Sequence, residues 1–99
     1  MNITKHRIDD CLTITLEGRL DTTNANELEE VLKTSLTGVT ELVFELGGLE
    51  YMSSAGLRLM LSAQKTMNKQ GKMVIRHATE LVKSVFTITG MDEIMTLED

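Results

Sequence analysis

Leu12, Ile14 and Leu16 alternate with Thr13, Thr15 and Glu17. That period of two is expected of a strand with one face in a core. Ala25, Leu28, Val31, Leu32 and Leu36 then recur at a period near 3.6, the stripe of an amphipathic helix. Glu41–Leu46 is apolar at successive positions and reads as a short strand buried on both faces. From about Ser54 to Asn68 the pattern is helical again, with Leu57, Met60, Leu61 and Gln64 inward and Arg58, Ser62 and Lys65 outward. Lys72–Arg76 is a further strand. Leu81, Val82, Val85 and Phe86 form the stripe of a third helix. At the ends the pattern weakens. Residues 2–8 predict a first strand, Asp92 to Met95 one more helical turn, and Met95 to Leu97 a short edge strand.

The punctuation agrees with these periods. Asp9-Asp10 reads as a hairpin turn, without the more usual Asp-Gly. Gly18 ends the first alternating run and Leu20 closes it. Asp21-Thr22-Thr23-Asn24 is a helix entry at which any of the four residues can cap, and Asn24 with Glu27 has capping-box spacing. Glu27, Glu29 and Glu30 suit the positive end of that helix and Lys33 its negative end. Thr37-Gly38 stops it. Gly47-Gly48 reads as a loop after the Glu41–Leu46 strand. Gly71 and Gly90 end the second and third helices, and Thr79 or a neighbour caps the third. Helix, glycine, then a short β-branched run is the grammar of a parallel βαβ unit. The expected architecture is a single α/β domain over residues 1–99, with a mixed sheet of four to five strands packed with three to four helices.

Composition narrows the classes. The chain has 99 residues, no proline and a formal net charge of −5. The length suits one domain with a core of its own. The negative balance disfavours nucleic acid and anionic membrane surfaces. Aromatic residues make up 3% of the chain, which leaves few stacking platforms for bases. The single Cys11 cannot form an internal disulfide, which is consistent with a cytoplasmic setting. There is no signal-like start and no apolar run of spanning length. Of the methionines, Met60, Met67 and Met73 are expected in the core. Met52 and Met91 are the candidates for exposure.

No catalytic constellation is present. Ser54 lacks the Gly-x-Ser-x-Gly elbow. His6 and His77 stand in no arrangement with a serine and a carboxylate. No Cys/His spacing suits zinc, no phosphate-binding glycine loop occurs, and no cofactor is expected. A hydrolase using Ser54 would lack its base. Ser53-Ser54-Ala55-Gly56 sits where a strand yields to a helix, so either serine can be read as a helix cap or as a displayed hydroxyl.

Tyr51-Met52-Ser53-Ser54-Ala55-Gly56-Leu57 resembles the signature of the STAS domain, the fold of bacterial anti-sigma factor antagonists. Glu17-Gly18-Arg19-Leu20-Asp21 and Val85-Phe86-Thr87-Ile88-Thr89-Gly90 extend the resemblance, in the expected order, over nearly the whole chain. In that family a serine following an Asp is phosphorylated by the partner anti-sigma factor, a kinase. The matching acceptor here is Ser54, and Ser53 stands in place of the Asp. The resemblance implies a non-enzymatic switch. Unphosphorylated, the chain would bind its anti-sigma factor kinase and free a sigma factor. Phosphorylated on Ser54 it would let go, and a phosphatase would reset it. Asp21, Thr22, Met52, Ser53, Gly56, Leu57 and Arg58 are the expected partner-binding residues. The alternative is a STAS module in a fixed complex, such as a lipid-transport or stress-signalling assembly, in which the serine only caps a helix.

Overall fold

The computed structural model describes residues 1–99. Its elements are β1 (Asn2–Ile8), β2 (Cys11–Leu20), α1 (Ala25–Ser35), β3 (Glu41–Met52), α2 (Ser54–Gln70), β4 (Lys72–Arg76), α3 (Glu80–Thr89), a short 3₁₀ turn (Met91–Glu93) and β5 (Thr96–Glu98). The five strands form one sheet in the order β1-β2-β3-β4-β5. β1 and β2 are an antiparallel hairpin, and every later pair is parallel. The sheet is therefore mixed, as the sequence pattern predicts.

Each parallel pair joins sequence neighbours, and the strand order always steps in the same direction. Crossovers of one hand then place every helix on the same face of the sheet. The core matches this. Leu28, Leu32 and Leu36, Leu57, Met60 and Met67, and Val82 and Phe86 share one cluster with Leu12, Ile14, Phe44 and Ile75. Val43 and Val74 are buried but lie outside that cluster. They pair on the opposite face, beside the cross-strand ion pair Lys72–Glu41. Leu42, Val43 and Phe44 are thus buried in succession, although the helices cover only one face of the strand.

The structure corrects the Gly47-Gly48 loop. β3 runs unbroken through both glycines to Met52. Thr15 pairs with Glu45 but Glu17 pairs with Gly48, and Gly18 pairs with Leu49 but Arg19 with Tyr51. Each step slips one extra residue into β3, as a β-bulge does. Core-facing positions therefore recur every third residue, at Leu46, Leu49 and Met52, all buried. A Cβ on Gly48 would stand 2.9 Å from Glu17 Cγ, so the exposed Glu17 side chain would have to shift to admit it. The same geometry overturns the expected exposure of Met52, which is 2% exposed. Met91 is half-buried and packs against the core. In α3, Val82 and Phe86 are buried and Val85 packs beside them, but Leu81 faces solvent.

Candidate functional site

The carboxyl ends of β2 and β3 meet at one end of the sheet. Leu20 and Met52 are register partners, so Asp21 and Ser53 are each the next residue beyond a pair. The Ser53 amide donates to the Leu20 carbonyl at 2.9 Å, which ties the two strand ends together. Ser53 keeps extended backbone, with φ −86° and ψ 176°, and its carbonyl accepts from Leu57 N at 3.0 Å. It is the N-cap residue of α2 by backbone. Its side chain makes no capping bond, and its Oγ is buried without a partner. Ser54 begins the helix and is exposed. The two serines therefore differ sharply: one hydroxyl is enclosed and the other presented.

Gly56 explains how the helix comes so close to the strands. A Cβ there would stand 2.7 Å from both Cγ and Cδ2 of Leu20 and 2.9 Å from Met52 Cγ. Real carbon atoms do not approach so closely, so Leu20 and Met52 fill the space a larger residue would need. Met52, Gly56 and Leu57 are all buried. The resemblance implies partner contact for all three, but they are packed inside this chain and not presented at its surface. They form the packed layer that holds the Ser54 turn. Gly56→Ala is expected to destabilise the fold by ~1–2 kcal/mol, the overpacking cost outweighing the ~1 kcal/mol helix-propensity gain. Thermal melting checks this; a variant more stable than wild type would show that the close packing is not required.

Asp21 occupies the facing turn. Its Oδ1 accepts from Thr23 N at 2.9 Å and also from the Thr23 hydroxyl. The Asp21 carbonyl takes Asn24 N and Ala25 N at the start of α1. The predicted Asn24–Glu27 capping box does not form. Asn24 is the N-cap residue but has no side-chain cap bond. Its Oδ1 instead accepts from Asp21 N at 3.0 Å, and its Nδ2 donates to the Arg19 carbonyl at 2.8 Å. The side chain turns back to fix the loop rather than forward to cap the helix, because its amide supplies both a donor and an acceptor. Thr22 and Arg58 are both exposed. Arg58 lines a hollow between α1 and α2 with Asn26, Glu29 and Leu59.

The two Thr23 bonds to the Asp21 carboxylate hold its pKa below the ordinary value. A lowered folded pKa stabilises the native state above the unfolded pKa, about 3.9, and the contribution fades as pH falls through the folded value. Asp21 is therefore charged throughout the neutral range. In an NMR titration its carboxyl midpoint is expected below the ordinary value, and Thr23→Val should move it up. A wild-type midpoint at or above the ordinary value would contradict the turn geometry.

The STAS domain family model matches residues 2–99. The chain belongs to the STAS domain family. Among curated relatives, a Bordetella bronchiseptica protein named as a candidate anti-sigma factor antagonist, BtrV, is 37% identical over 92 residues, covering 91% of this chain and 79% of that protein. The anti-sigma-B factor antagonist of Staphylococcus epidermidis is 31% identical over 101 residues, covering 100% of this chain and 94% of its own. Among solved structures, the Bacillus cell fate determinant SpoIIAA in its phosphorylated form superposes with a TM-score of 0.78 at 19% identity, covering 97% of this chain and 90% of that one. At that identity the likeness concerns the fold. No helix is long and apolar enough to cross a membrane.

Proposed function

We infer that this protein is an anti-sigma factor antagonist whose partner binding is switched off by phosphorylation of Ser54. The observation that carries the reading is the contrast between the exposed Ser54 and the enclosed Ser53 hydroxyl at the same helix start. The relatives named as anti-sigma factor antagonists support the partner class. An anti-sigma factor serine kinase would dock on the turn formed by Asp21, Thr22, Ser53, Ser54 and Arg58, and a phosphatase would restore the free hydroxyl. Met52, Gly56 and Leu57 would serve that surface from beneath.

A phosphate suits this position physically. The start of α2 has unsatisfied N–H groups and the positive end of the helix dipole, which favours an anion by ~0.3–1 kcal/mol. Phosphoserine carries roughly −1.5 to −2 charges near neutral pH. The fold tolerates that charge, while a docked partner bearing negative groups does not. Like-charge contact can cost several kcal/mol, and each ~1.4 kcal/mol is tenfold in affinity. Release then needs no change of fold. The domain, residues 1–99, acts as substrate in this scheme and not as enzyme.

Recovery of the chain from its native cell tests the reading. Intact-mass analysis is expected to show unmodified and singly phosphorylated populations, with an anti-sigma factor bound only to the first. A chain that is never phosphorylated and is found with transport components would favour the fixed module.

A further inference from the structure

The chain has four arginines, and the structure divides them into two pairs. Arg7 donates to the Asp9 and Thr37 carbonyls, and Arg76 pairs with Glu98. The side chains of Arg19 and Arg58 make no hydrogen bond and reach no carboxylate within ion-pair distance. Both are exposed. Arg19 pairs in register with Tyr51, three residues before Ser54, and Arg58 follows Ser54 by about one turn of α2. Arg19 lies two residues before Asp21, its own carbonyl held by Asn24. It comes from the sheet face opposite the helices. Arg58 lies on the first turns of α2, on the helix side.

Arg19 is also preorganised. It is the register partner of Tyr51, and its guanidinium stands 4.4 Å from the centre of the Tyr51 ring. Stacking of this kind holds the planar fork while leaving its N–H edge free. Glu29 lines the same hollow as Arg58 without pairing to it. In a chain of net charge −5, the two arginines offset the nearby Asp21 and Glu29 without pairing to either at ion-pair distance. Arginine and tyrosine are also the residue types that dominate binding energy at protein interfaces.

We propose that Arg19, seated on Tyr51, and Arg58 are a two-pronged recognition element for carboxylates on the anti-sigma factor. The proposal rests on the functional reading above and adds the chemistry of the partner surface. Guanidinium and carboxylate meet as a bidentate pair with strong directional preference. It also gives the switch its sign. A phosphate on Ser54 faces the same partner carboxylates and repels them, and it competes for the same guanidiniums.

The test uses the anti-sigma factor recovered with the wild-type chain and identified by its sequence. Its affinity is measured by calorimetric titration at low and high salt, because exposed ion pairs are screened beyond about 10 Å at 0.1 M. Wild-type affinity is expected to fall about tenfold from low to high salt. Arg19→Ala and Arg58→Ala should each weaken low-salt binding at least about fivefold. The double variant should lose most of the salt dependence. Tyr51→Leu should weaken binding less than Arg19→Ala, since it frees the fork but keeps the charge. Melting temperatures of these surface variants serve as the fold control. A double variant that binds as tightly as wild type, with the same salt dependence, overturns the proposal. If Ser54→Asp still releases the partner in that case, the switch reading stands alone. If the wild-type chain binds no anti-sigma factor, both fall together.

Discussion

Ser54→Asp is expected to weaken anti-sigma factor binding at least tenfold, while Ser54→Ala binds as tightly as wild type and takes up no phosphate. The hydroxyl at this position is exposed and makes no side-chain bond within the fold, so its removal should leave stability within ~0.5 kcal/mol of wild type. An acidic residue in the first turn of α2 adds ~0.3–1 kcal/mol of favourable dipole interaction. Neither variant should unfold, and melting curves check that. Any loss of binding by Ser54→Asp is then a surface effect. Aspartate has less charge and fewer acceptor oxygens than phosphoserine, so the mimic should fall short of full release. Equal affinity of the Asp and Ala variants would remove the electrostatic basis of the switch.

Gly71→Ala carries the largest expected loss of stability. Gly71 closes α2, with its amide on the Met67 carbonyl at 2.6 Å, and has extended backbone at φ 171°. Its conformation is open to any residue, so the demand for glycine is steric. An added Cβ would stand 1.8 Å from the Thr40 carbonyl oxygen and 2.6 Å from its carbon. That oxygen is backbone, and it already accepts from Lys72 N at 2.9 Å. The collision cannot be relieved by a rotamer change. It must separate the α2–β4 turn from the start of β3, at a cost of ~2–3 kcal/mol. For a chain of this size the melting temperature should drop by roughly 10–20 °C. Gly90→Ala supplies the contrast. There φ is 76° and nothing lies within 4 Å of the added carbon, so only the left-handed backbone is penalised, by about 1 kcal/mol. Equal losses at the two positions would mean that the Thr40 contact is not the cause.

Most elements were legible because their periods are clean. The Leu12-Ile14-Leu16 alternation, the Leu28-Leu32-Leu36 stripe and the Thr79 and Gly90 caps all fall where the pattern places them. The second half of β3 was not legible. Its bulges space the core-facing Leu46, Leu49 and Met52 by three, which suits neither the period of a strand nor that of a helix. Two glycines in that stretch then read as a turn. The same spacing conceals the burial of Met52. At the site itself, local pattern gives a serine pair at a helix start but cannot rank the two hydroxyls. That ranking depends on packing beneath the turn, where Gly56 admits Leu20 and Met52. Arg19 is not legible as a site residue for a similar reason: its stacking on Tyr51 depends on the shifted register of β2 and β3.

Phosphate localisation tests the central claim most directly. The purified chain is incubated with its anti-sigma factor and ATP, and the modified residue is identified by fragmentation mass spectrometry in wild type, Ser53→Ala and Ser54→Ala. The predicted result is a single phosphate on Ser54 in wild type and in Ser53→Ala, with none in Ser54→Ala. Phosphate on Ser53, or uptake by Ser54→Ala that Ser53→Ala lacks, would contradict the account.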